Sequence, residues 1–86
     1  MAAEVTNVPI VLTSLIGHLE PIAAADPDRP VTAYQRNGFN WLLGHSLAKY
    51  TDRRLREIEP LPADAEPTVA EVLERVRTIA AVVLEG

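Results

Sequence analysis

VTAYQRNGFNWLLGHSLAKYTDRRLREI, residues 31–58, decides the fold of this chain. It holds all four aromatic residues (Tyr34, Phe39, Trp41 and Tyr50) and five of the eight lysines and arginines. Thr32 and Gln35 stand three apart, the capping-box spacing in which a hydroxyl and an amide each satisfy a backbone N–H left free at a helix start. Pro30 biases the residue before it away from helical backbone. The stretch therefore reads as one long helix over 32–58.

At about 100° per residue, Phe39, Leu43, Leu47 and Tyr50 fall on one face of that helix. Tyr34, Trp41 and Ala48 fall nearly opposite, with His45 among them. A helix with two apolar stripes needs a neighbour on each side. Both neighbours can come from the same protomer, or one face can meet a second copy. Towards residue 58 the charged residues Asp52, Arg53, Arg54, Arg56, Glu57 and Glu59 point almost everywhere and leave only Leu55 and Ile58 to bury. That end is expected to project or to reach a neighbouring subunit.

Upstream, Val8, Val11, Leu12, Leu15, Leu19 and Ile22 keep helical spacing, so a helix is expected over 8–25. Asn7 is a suitable cap and Pro9 suits the first turn, with residues 1–6 a frayed end. Pro21 is expected to kink this helix or to start a second segment. Asp26 to Pro30 carries two prolines within four residues and reads as a turn.

Downstream, Pro60, Pro62 and Pro67 bracket a stiff acidic connection. Thr68 and Glu71 repeat the capping-box spacing and open a helix over 68–85. Its stripe of Val69, Val72, Leu73, Val76, Ile79, Ala80 and Val83 is that of a bundle helix, with Val76 at its centre and Val82 off it. Glu71 and Arg75 stand four apart in the favourable order for an ion pair. The chain thus reads as a single all-α domain over residues 1–86. Its three main helices alternate in direction, the second is the spine, and self-association is expected to complete the bundle.

With 86 residues the core is small, which makes self-association an ordinary remedy. The chain has no cysteine, so disulfides, thiolate nucleophiles and cysteine-based metal sites are excluded. A net charge of -4 repels phosphate backbones and anionic membranes unless a local patch intervenes. The use of seven arginines against one lysine fits the coding bias of a GC-rich bacterial genome or its phages. Glu4 near the start, and Thr13, Ser14, His18 and Glu20 within the first apolar run, argue against an export signal or a membrane span. They favour a cytoplasmic setting.

No chemistry-bearing motif emerges. His18 and His45 lack the spacing of a metal site, and Ser14, Ser46 and Asp52 lack the context of a nucleophile. Gly38 and Gly44 lie within a helical pattern and form no phosphate loop. No cofactor is expected. The reading favoured is a non-catalytic interaction, accessory-subunit or assembly protein that acts as a homo-oligomer, or with another protein, through helix faces. Its expected interface residues are Tyr34, Trp41, His45, Ala48, Leu55 and Val82. A DNA-associated role is the alternative, through Arg36, Lys49, Arg53, Arg54 and Arg56, although interleaved acids make such a run look like a solvated face. A pocket for a small ligand between Trp41 and Tyr50 is a third reading.

Overall fold

The computed structural model describes residues 8–62, 64 and 66–84. The suggested Asn7 cap and the frayed end over 1–6 lie outside the described residues. Helix accounts for 72% of the description, with no strand, so the all-α expectation holds. The helices are α1 (Val8–Ala25), α2 (Ala33–Lys49), α3 (Arg53–Arg56) and α4 (Val69–Val83).

Both capping boxes form as the spacing requires. The Thr32 N–H donates to Gln35 Oε1 at 2.9 Å, and the Gln35 N–H donates to Thr32 Oγ1 at 3.2 Å. At α4 the Thr68 N–H donates to Glu71 Oε1 at 2.8 Å and the Glu71 N–H to Thr68 Oγ1 at 3.2 Å. Each box satisfies two groups that the helix itself cannot. Glu71 is held below its usual carboxylate range by these Thr68 hydrogen bonds, with a further contribution from the charge of Arg75. Arg75 also donates from Nη1 to the Glu59 carbonyl at 3.1 Å.

The expected long helix over 32–58 is broken. α2 ends at Lys49, and Tyr50 takes an extended backbone while its N–H donates to the Ser46 carbonyl. Asp52 then caps α3: its Oδ1 accepts the Arg54 N–H at 2.8 Å. The physical reason is local competition. An aspartate can offer its carboxylate to the N–H groups two residues on, which favours a fresh helix start over continuation through the same residues. The break turns Leu55 inward, where it is fully buried.

Pro21, by contrast, interrupts nothing, and α1 runs through it. The ring removes the N–H that would have met the Gly17 carbonyl. Gly17 and Pro21 are both exposed, so water can take that carbonyl, and glycine offers no Cβ to crowd the ring.

The alternating order of three helices also needs correcting. The Val31 N–H donates to the Pro67 carbonyl at 3.0 Å and the Val69 N–H to the Arg29 carbonyl at 2.8 Å. This isolated bridge sets the starts of α2 and α4 side by side. The return path along α2 is therefore the segment after α3, and Asn40 of α2 fixes it. The Asn40 amide donates to the Leu61 carbonyl and accepts the Leu61 N–H, each at 2.8 Å. The proline-rich connection is thus tied to the body, with Leu61 buried under it.

The core centres on α4, whose contacts reach α1, α2 and α3, with α1 its main partner. α4 buries Val69, Val72, Leu73, Val76, Ile79 and Val82. Burying each such side chain contributes ~1.5–3 kcal/mol, so this helix carries much of the stability. α1 adds Val8, Leu12 and Leu19. From α2 come Gln35, Phe39, Leu42, Leu43 and Ser46. The inward face of α2 is thus rotated towards Leu42: Leu47, expected inside, is 41% exposed, and Tyr50 is only partly buried. Exposed Arg77 reaches Glu20 across the α1–α4 seam at 3.3 Å, a surface pair of small energetic weight.

Candidate functional site

Between α1 and α2, with no α4 residue in its lining, lies a half-open cleft of about 420 Å³. Val11, Ser14, Leu15 and His18 of α1 form one wall. Tyr34, Asn37, Gly38 and Trp41 of α2 form the other. The helical spacing on each side explains the convergence, since residues three and four apart share a face. Gly38 faces Leu15 across the cleft: a Cβ there would meet only Leu15 Cδ1, at 4.0 Å, an ordinary contact distance.

The aromatic groups are braced in pairs. Trp41 and His45, one turn apart, lie with ring centroids at 4.1 Å and planes at 35°. Tyr34 meets His18 edge to face across the cleft mouth, at 6.4 Å and 79°. Tyr34 remains 79% exposed and Trp41 only partly covered. His18 also ties α1 to the cap of α2, with its Nε2 at 3.1 Å from Gln35 Nε2. The Gln35 Oε1 is committed to the Thr32 N–H, so the amide cannot turn over. An amide nitrogen only donates; hence His18 Nε2 accepts, and the neutral ring carries its proton on Nδ1.

This arrangement suits contact better than reaction. Ser14 and His18 line one wall, but no hydrogen bond joins them among the described residues, and the accepting ring nitrogen is already used by Gln35. Among the described residues no three histidine, aspartate or glutamate side chains gather. No lining side chain is an acid, a lysine or an arginine, so the cleft presents aromatic and aliphatic surface with an uncharged polar edge.

Of the six interface residues expected from sequence, Tyr34 and Trp41 line the cleft, His45 stacks beside Trp41, and Ala48 is exposed one turn further on. Leu55 and Val82 do not belong with them. Leu55 is 0% exposed and Val82 3%, both in the core, because the break after Lys49 redirects α3 and because α4 is enclosed from more than one side. Tyr50 does not line the cleft either; Tyr34 takes the place proposed for it. The contribution of α1, His18 above all, had no signal in the sequence beyond its position beside an apolar stripe.

The basic residues do not form one helical side. Arg36 and Lys49 lie on α2, and Arg53, Arg54 and Arg56 on the separate α3. Arg54 grips the Asp52 carboxylate with Nε at 3.1 Å and Nη2 at 2.9 Å, and Arg53 stands 4.0 Å from Glu57. The Arg54 side chain, then its backbone N–H, hold the Asp52 carboxyl down at about 2.

α1 has the length and composition to cross a membrane, with 18 residues at mean hydropathy 1.5. In this fold it is one wall of the core and of the cleft. No family model, curated protein or solved structure matches the chain.

Proposed function

We propose that this chain is a non-catalytic, cytoplasmic interaction protein, an accessory or assembly subunit, that works as a homo-oligomer through the α1–α2 face. The single observation that carries the reading is the placement of Trp41 and Tyr34. Two of the chain's four aromatics sit at a solvent-facing cleft rather than in the core, held in position by His45 and His18. Aromatic side chains of this kind are enriched where proteins meet, since they place a large apolar body and a polar tip together. Sedimentation of the parent and of Trp41→Ala over a wide concentration range tests it. The parent should associate and the variant should dissociate at least tenfold more readily, in line with a hot spot of ~2 kcal/mol. A parent that stays monomeric at high micromolar concentration refutes the proposal.

The cleft volume supports a second reading. About 420 Å³ lies within the range of small-molecule pockets. The chain has one tryptophan, so its indole N–H gives a single nuclear magnetic resonance signal that should shift on titration with an uncharged aromatic such as indole. An unmoved signal removes that reading.

A further inference from the structure

A hydrogen bond between α1 and α2 depends on the charge of a histidine. His18 Nε2 accepts from the Gln35 amide at 3.1 Å, which requires the neutral ring. Gln35 has no second acceptor to offer, because its Oε1 is bonded to the Thr32 N–H at 2.9 Å within the cap of α2. We infer that His18 is a pH-operated latch: neutral, it fastens α1 to the first turn of α2 at the Tyr34 end of the cleft, and protonated, it lets go.

Protonation turns the accepting nitrogen into a donor, so two N–H groups then face each other across the seam. Two rearrangements remove the clash, and each loses a bond. In the first, the ring swings out to water, which it can reach because His18 is exposed, and leaves the Gln35 amide behind. Gln35 is 5% exposed, so its abandoned N–H has little water to take in exchange. In the second, the amide turns over and offers Oε1 to the cation. The Thr32 N–H then faces an amide nitrogen, and half of the capping box is lost.

No neighbouring anion offsets this loss. From α2 the titratable group facing the ring is Tyr34, edge to face at 6.4 Å, and no acid, lysine or arginine lines the cleft. From α4, Arg77 reaches α1 at Glu20, which stands two residues on from His18 and so ~200° round the helix. Asp26, Asp28 and Arg29 lie in the exposed turn beyond the end of α1, which is ~10 Å along the axis from His18. Histidine changes charge between about pH 5 and 8. The bond needs the uncharged form, so its contribution is full on the alkaline side of that range and is lost as the pH falls through it. α1 packs chiefly on α4, so release frees one edge of the cleft without unfolding the bundle.

Long-range ¹H–¹⁵N nuclear magnetic resonance of the full chain tests the latch directly. Near pH 8 the His18 ring should carry its proton on Nδ1, the reverse of the tautomer that free neutral histidine favours. As the pH is lowered to 5, the Gln35 side-chain amide signals should move together with the His18 ring. Protection of the Gln35 backbone N–H, corrected for the intrinsic exchange rate, should drop roughly threefold to tenfold, the weight of one hydrogen bond. His18→Gln supplies a carbonyl acceptor of similar reach that does not titrate, so its protection should stay level across the range. The chain has one other histidine, His45, which stacks on Trp41, and His45→Gln should leave the parent's change in place. An Nε2–H tautomer near pH 8 overturns the latch. So does a protection profile that is the same in the parent and in His18→Gln, or one that His45→Gln abolishes. Should circular dichroism show His18→Gln unfolded, the tautomer and the joint movement of His18 and Gln35 in the parent decide alone.

Discussion

Replacing Ser46 by alanine should stabilise this protein, although it removes a polar group and adds no contact. Ser46 is 0% exposed and lies among Phe39, Leu42 and Leu43 on the inward face of α2. Its hydroxyl is buried and has no hydrogen-bond partner. A buried hydroxyl that has exchanged water for no partner costs ~1–3 kcal/mol. Alanine keeps the Cβ, leaves a void of only one oxygen, and is ~0.5 kcal/mol better in a helix. The two effects add to ~2 kcal/mol in favour of the variant. For a domain of this size, at ~4–8 °C per kcal/mol, the melting temperature should rise by roughly 10 °C. The assay is thermal and urea unfolding followed by circular dichroism, at one fixed protomer concentration because association shifts apparent stability. Ser14→Ala is the internal control: it changes helix propensity at an exposed position, so it should gain only ~0.5 kcal/mol. Equal shifts for the two variants would refute the reasoning. They would show that the Ser46 hydroxyl turns to a backbone carbonyl and is satisfied.

Two further expectations rest on specific hydrogen bonds. Asn40→Ala removes both bonds to the Leu61 backbone and leaves a partly buried N–H and carbonyl unmet, which should cost ~1–3 kcal/mol and expose the proline-rich segment to proteolysis; unchanged digestion would show the segment is held by Leu61 packing alone. Acid stability should depend on Asp52 and Glu71, both held below the usual carboxylate range. A depressed carboxyl stabilises the fold fully above its unfolded value of ~4, and the contribution is lost as pH falls through the folded value. For Asp52 that window runs from pH ~4 down to about 2, so Asp52→Asn should flatten the stability curve there, and a curve of unchanged slope would remove the α3 cap from the account.

The sequence by itself determined what depends on near neighbours along the chain. The starts of α2 and α4 follow from Thr32 with Gln35 and Thr68 with Glu71, because each box closes within a single turn. The bounds of α1 and the burial of Val76 follow from apolar spacing, which is strongest where one face alone is apolar. The break at Tyr50 had a local signal in Asp52, whose capping of α3 was masked by the apolar pattern continuing on either side. Only the tertiary structure decided which face of α2 turns inward. Spacing ranked Leu47 with Phe39 and Leu43, yet Leu42 is buried and Leu47 is not, because the walls around α2 are built by α4 and by a return segment that Asn40 anchors. The same holds for the candidate site. Tyr34 and Trp41 could be placed on one helix face from their spacing. The cleft exists because α1 brings Val11, Leu15 and His18 opposite them, and a contact between residues far apart in sequence leaves no periodic trace in either segment.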